Sequence, residues 1–130
     1  MTLTTDKQQA DKQRERARRR EARLSMTAEV KDILTHSEDE GLLWTAPVID
    51  LMEALYYVYE EGALVDDNQQ PMAFLELVRR CTAVLHVKMP ANPYRQAQRG
   101  RERKGVKHTS FLERYMTSIL ISTYIGSCRE

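Results

Sequence analysis

Between Asp6 and Lys31 the chain carries almost no large apolar residue and neither Gly nor Pro; Ala, Arg, Gln, Glu and Lys dominate it. These are good helix formers, so the segment is expected to be helical, yet a polar stripe offers nothing to a core. Pairs at i+3 or i+4, such as Asp11 with Arg14 and Glu15 with Arg18 and Arg19, add roughly a few tenths of a kcal/mol each. The pattern predicts a solvated, charged helical arm over residues 1–40, running into the polar break Ser37-Glu38-Asp39-Glu40-Gly41. The basic run from Arg14 to Arg20 reads as a wet helix face.

Apolar periodicity begins after that break. Val48, Leu51, Met52, Leu55, Tyr56, Val58 and Tyr59 follow i, i+3, i+4, i+7 spacing, which predicts a helix with Thr45 as N-cap, Pro47 in the first turn and Gly62 as the stop. Pro71 marks a second start, and Phe74, Leu75, Val78, Cys81 and Leu85 repeat the helical period. The prolines of Met89-Pro90-Ala91-Asn92-Pro93 cannot continue that helix, so a tight turn is expected at 88–92. Asn92 then caps a weaker, polar helix from Pro93, interrupted by Gly100. Ser110 and Glu113 have capping-box spacing and open a last helix, with Phe111, Leu112, Tyr115, Met116, Ile119, Leu120 and Tyr124 on its apolar face and Gly126 at its end. The expected fold is all-α: a small helical bundle over residues 41–126 plus the arm.

Composition bounds what such a bundle does. With 130 residues and 42% apolar content, there is material for one modest hydrophobic core and not for a multidomain enzyme. No stretch approaches the roughly 20 apolar residues of a membrane span, and charge occupies the place of a signal peptide's apolar region, so a cytoplasmic protein is expected. Cys81 and Cys128 lack the companions of a zinc site or disulfide framework and read as plain thiols, Cys81 as a buried one. Phosphate-binding loops, zinc-protease motifs and nucleophile elbows are missing, and His36, His86 and His108 have no spaced ligand partners, so neither catalysis nor a cofactor or metal is expected. The acid pairs Asp50 with Glu53 and Glu60 with Glu61 read as wet helix faces.

Charge order changes the picture more. Residues 1–37 hold nine bases against six acids, residues 38–78 ten acids and no base, and residues 79–114 ten bases against two acids, all hidden in a net charge of +1. Only a basic face attracts the nucleic-acid backbone. Arg95, Arg99, Arg101, Arg103, Lys104, Lys107 and His108 crowd together just after the predicted helix and turn, an order that suits a helix-turn-helix. Arg95, Arg99 and Arg103 are spaced at i+4, Gln96 and Gln98 suit base edges, and Lys104, Lys107 and His108 suit phosphates. From the residues alone, an arginine-rich polar helix is equally well a frayed, soluble connector.

The ordered set Leu43-Trp44-Thr45, Asp50-Leu51-Met52-Glu53-Ala54-Leu55-Tyr56, Gly62, Asn92-Pro93-Tyr94-Arg95, Arg103-Lys104 and Thr109-Ser110-Phe111-Leu112-Glu113 resembles the RteC family across residues 42–121. RteC proteins regulate excision of tetracycline-resistance conjugative transposons. The resemblance implies an all-helical C-terminal DNA-binding domain of helix-turn-helix or winged-helix character. Tyr94, Arg95, Arg103 and Lys104 match its pattern; Arg99 and Lys107 rest on charge alone. The family's protein has its own N-terminal helical domain where this chain has the arm. One extra residue falls between Lys104 and Phe111, and Ala97 and Gly100 stand where bulky apolar residues are expected, so loose packing of that helix is anticipated. The expectation is a transcription regulator of a mobile element that binds double-stranded DNA through Tyr94, Arg95, Gln98, Arg99, Arg103, Lys104, Lys107 and His108. The alternative is a helical protein-protein interaction module whose acidic 38–78 face docks a partner or a second copy as a homodimer.

Overall fold

The computed structural model describes residues 2–103, 109–117 and 121–127. A long helix α1 (Thr2–Ile33) is followed by a single helical turn at Glu38–Glu40 and strand β1 (Leu42–Trp44). Then come helices α2 (Val48–Glu61), α3 (Phe74–Leu85), α4 (Pro93–Glu102) and α5 (Phe111–Met116), a turn at Ile121–Tyr124 and strand β2 (Ile125–Ser127). The mostly helical bundle is the expected class.

At the centre lies α2, against which α1, α3, α4 and α5 all pack. Its buried side chains include Leu51, Met52, Ala54, Leu55, Tyr57 and Val58, joined by Phe74, Leu77, Val78, Cys81 and Leu85 from α3 and by Phe111, Leu112 and Tyr115 from α5. Gly62 ends α2 in the left-handed region at φ 67°, its amide donating to the Tyr59 carbonyl at 3.1 Å. A side chain is rarely tolerated there, so the expected stop stands.

The arm is not wholly solvated. Ala22, Met26, Val30 and Ile33 are buried in the same core, and Glu29 Oε2 accepts from the Tyr115 hydroxyl at 2.6 Å and the Ile121 amide at 3.0 Å. Four apolar residues at helical steps suffice to dock a helix whose average composition is polar, so the boundary near residue 40 divides nothing in the core.

Several local expectations also shift. Thr45 does not cap α2; its amide and hydroxyl both donate to the Tyr124 carbonyl at 2.7 and 2.8 Å, prolonging a two-stranded antiparallel sheet in which Leu43 pairs with Gly126. Pro71 lies in an isolated bridge to Val65, and α3 starts only at Phe74. Tyr57 takes the buried place expected of Tyr59, and Leu75 is exposed. α5 stops at Met116, so Tyr124 and Gly126 belong to the turn and strand that return to β1. Ile119, Leu120 and Cys128 lie outside the described residues. Trp44 closes this end against Phe111 and Tyr124, ring centroids 6.3 and 5.7 Å away.

The corner between α3 and α4 differs most from expectation. α3 ends at His86, left-handed at φ 57°, whose Nδ1 donates to the Leu42 carbonyl at 2.8 Å. The chain then runs without regular structure through Val87–Pro90, and Tyr94 in the first turn of α4 meets Phe74 at the first residue of α3, ring centroids 4.7 Å apart. The connection thus leads back along the length of α3. It is not the short corner that joins the helices of a helix-turn-helix, where the end of one helix adjoins the start of the next.

Candidate nucleic-acid interface

The sequence around α4 builds a helix with one clamped side and one open side. Asn92 Oδ1 accepts from the Arg95 amide at 3.1 Å and Pro93 occupies the first turn, as the spacing predicted. Behind the helix, Pro93, Ala97 and Gly100 are buried against α2. A Cβ on Gly100 would lie 2.8 Å from Glu53 Oε1, 3.1 Å from Glu53 Cβ and 3.3 Å from the Ile49 carbonyl. Small residues here permit a close helix crossing, so the expected looseness is replaced by tight packing, and Gly100 continues the helix instead of interrupting it.

Tyr94, Arg95, Gln98 and Arg99 lie exposed on the open side. Tyr94 is 47% exposed although its ring rests on Phe74 and, at 6.4 Å, on Tyr56. Gln98 Nε2 donates to Glu102 Oε1 at 3.1 Å, leaving its carbonyl free along the surface. Arg95 and Arg99 stand one turn apart, and neither guanidinium has an acid partner among the described residues.

The other arginines of the cluster do not share that face. Arg101 stacks over Tyr56 and Tyr57 at 5.1 and 5.5 Å from the ring centroids and approaches Glu60 at 4.0 Å. Arg103, expected on the DNA side, turns inward: its Nη2 donates to Asp50 Oδ1 at 2.5 Å, lies 3.6 Å from Glu53 Oε1, and its Nε donates to the Gly100 carbonyl at 3.4 Å. The reason is the pair of buried carboxylates on α2, which would be untenable without cations. Lys104, Lys107 and His108 lie outside the described residues.

Asp50 and Glu53, read from the pattern as wet, are fully buried. Asp50 Oδ1 also receives Arg114 Nη2, while Asp50 Oδ2 and Arg114 Nε have no hydrogen-bond partner among the described residues. Glu53 accepts the Phe111 amide on Oε1 at 2.9 Å, and the Leu112 amide and Tyr57 hydroxyl on Oε2, both at 3.0 Å. A carboxylate thus satisfies two of the orphan donors that open α5. Burial first, then the Glu53 charge, raises the Tyr57 phenol above its ordinary value. Ser110 supplies the other cap, its Oγ accepting the Glu113 amide at 3.3 Å, while the Glu113 carboxylate pairs with Arg19 at 2.5 Å instead of closing the box. The missed signal was that Asp50 and Glu53 sit among apolar residues on every side of α2 (Ile49, Leu51, Met52, Ala54), as on a buried helix.

The acidic block is largely consumed within the fold. Besides Asp50 and Glu53, Glu61 pairs with Arg23 at 3.0 Å, and Glu76 with Arg79 and Arg80 at 2.5 and 3.1 Å. Those arginines hold the Glu76 carboxyl below its usual range. A cavity of about 400 Å³ between α1, α2, α4 and α5 is lined by Arg19, Arg101, Arg103 and Glu113, and the acids Glu15, Glu60, Glu113 and Asp50 offset its arginines. Among the described residues no group of three or more His, Cys, Asp or Glu side chains gathers to hold a metal ion, and no helix is long and apolar enough to cross a membrane. No family model, curated protein or solved structure matches the chain.

Proposed function

We propose that the chain is a cytoplasmic DNA-binding regulator that acts without catalysis or a cofactor, engaging duplex DNA through the open side of α4. The observation that carries this is the pair Arg95 and Arg99, one turn apart, exposed and without an acid partner among the described residues, on a helix clamped from behind by Ala97 and Gly100. A helix of ten residues is about 15 Å long, and the major groove is about 12 Å wide. Tyr94, Arg95, Gln98 and Arg99 offer a ring, two bidentate donors and an amide along that length. Because the chain between α3 and α4 is long, presentation of α4 depends on its packing against α2 and not on a helix-turn-helix corner. The resemblance to RteC proteins supports control of excision or transfer genes of a conjugative transposon or other mobile element.

Fluorescence anisotropy on a duplex over a range of salt tests this. Each phosphate contact steepens the fall of log affinity with log salt by about 0.9, so Arg95 and Arg99 alone require a slope near −1.8 when both touch phosphate. A flat response, or no binding at low salt, overturns the reading. The second reading, a helical interaction module that docks a partner or a second copy, draws support from the apolar side chains of Tyr59, Leu75 and Tyr94 left exposed around Phe74. A sedimentation profile that shifts with concentration, together with absent DNA binding, would favour it.

A further inference from the structure

One seam of α1 changes character along its length. Met26, Val30 and Ile33 point into the core; Arg23, three residues before Met26, and Arg19, four before Arg23, lie on the same seam, reach the bundle's rim and pair with Glu61 and Glu113. Lys12 and Arg16 continue it by the same steps, and residues 12, 16, 19, 23, 26, 30 and 33 alternate spacings of four and three, which hold one face of a helix with a drift of about 20° per seven residues. From Asp6 to Arg18 no side chain is buried. Arg23 meets the last residue of α2, so the residues of α1 before it run past that end of the bundle; Thr2 to Arg18 overhang it by about 25 Å.

The first turn of α4 sits at the same end. Tyr94 lies against Tyr56 in the second half of α2, whereas Gly100 lies against Ile49 and Glu53 in its first half. The overhanging seam therefore runs out past the same end of α2 at which α4 begins, on a different face of α2 from Tyr94. On the flank of that seam the charges cancel, since Arg14 pairs with Asp11 and Arg18 with Glu15. On the seam, Arg19 and Arg23 have found acids within the chain; Lys12 and Arg16 have no acid partner among the described residues.

We infer that Lys12 and Arg16 form a second phosphate-binding strip, so that DNA held by α4 is also gripped along its backbone by the overhanging half of α1. This rests on the proposed function. The rise from Lys12 to Arg16 is about 6 Å, comparable with the spacing of successive phosphates on one strand. Both side chains are exposed and have no acid partner among the described residues, so removing their charge leaves the core untouched.

The test compares the full chain with the Lys12→Gln/Arg16→Gln variant, using a random-sequence duplex and a salt titration, with circular dichroism confirming equal helicity. The inference expects the slope of log affinity against log salt to become shallower by about 1.8. An unchanged slope in a variant that still binds overturns the strip and leaves the role of α4 intact. Absence of binding by the unaltered chain overturns both. A variant that keeps the slope but changes the sedimentation coefficient would assign the seam to a second copy of the chain, and that also overturns the inference.

Discussion

Glu53 Oε1 would stand 2.8 Å from a methyl group on Gly100, and the contact is backed by Glu53 Cβ at 3.1 Å and the Ile49 carbonyl at 3.3 Å. In an open helix, replacing Gly by Ala stabilises by roughly 0.5–1 kcal/mol. Here the carboxylate cannot retreat, because it holds the amides of Phe111 and Leu112. Overpacking of that kind costs about 1–3 kcal/mol. Gly100→Ala is therefore expected to destabilise, by about 1–2 kcal/mol net, in urea unfolding. A gain in stability would show that α4 and α2 do not approach as closely as described.

Glu53→Gln keeps the shape and removes the charge. The amide offers one acceptor in place of two and turns an N–H towards donors that need an oxygen, while Asp50 is left as the buried acid bonded to Arg103. Removing one partner of a buried charged cluster costs about 3–5 kcal/mol. Glu60→Gln, on an exposed carboxylate 4.0 Å from Arg101, is expected to stay within about 0.5 kcal/mol of the parent. Similar losses for the two variants in parallel denaturation curves would contradict the central role of Glu53.

What the sequence disclosed was whatever is decided within a few residues. Gly62 as a stop, Asn92 with Pro93 as a start and the Ser110 hydroxyl as a cap each answer to neighbours in the chain, and each stands where the pattern placed it. Asp50, Glu53 and Arg103 answer to partners 50 or more residues away, so local spacing counted two buried acids as wet and one structural arginine as a DNA contact. Gly100 and Ala97 illustrate the same limit: a small residue looks like a weakness along the chain, and only the second helix shows it to be a close crossing. For α1, average polarity masked Met26, Val30 and Ile33, whose spacing alone carries the docking. The exposed pair Arg95 and Arg99 was legible because a charge at i and i+4 on a helix needs no distant partner to stay in water.

Cys81 has no exposed surface, and burial pushes its thiol up to about 12. The reactive species is the thiolate. Alkylation at pH 8 followed by peptide mapping is expected to leave Cys81 unmodified in the folded chain and to label it in denaturant. Rapid native labelling would mean that α3 opens readily.

The His36 imidazole is raised above its ordinary 6.5, first by its hydrogen bond to Glu40 and further by the charges of Glu40 and Asp32. A raised folded-state value contributes stability that is fully present below the unfolded value and is lost as pH climbs through the folded one. Relative to His36→Gln, the parent chain is expected to gain stability at pH 5.5 and to lose that advantage by pH 8.5. An advantage that grows with pH would reverse the assigned sign.

Arg95 and Arg103 separate binding from folding within one helix. Arg95 is exposed and without an acid partner among the described residues, so Arg95→Ala is expected to leave the unfolding midpoint unchanged while weakening DNA binding. If it reads a base, about 1–3 kcal/mol of discrimination between cognate and random duplex is lost; if it meets only phosphate, all sequences weaken alike. Arg103 is 20% exposed and bound to Asp50, which keeps Arg114 as its remaining cation, so Arg103→Ala is expected to lower stability by about 1.5–3 kcal/mol, the worth of a hydrogen bond between charged groups. Its DNA affinity, measured where the variant is still folded, is expected to change little. The opposite pattern, a stable Arg103→Ala with lost binding, would return Arg103 to the DNA face and undo the division of labour among these arginines.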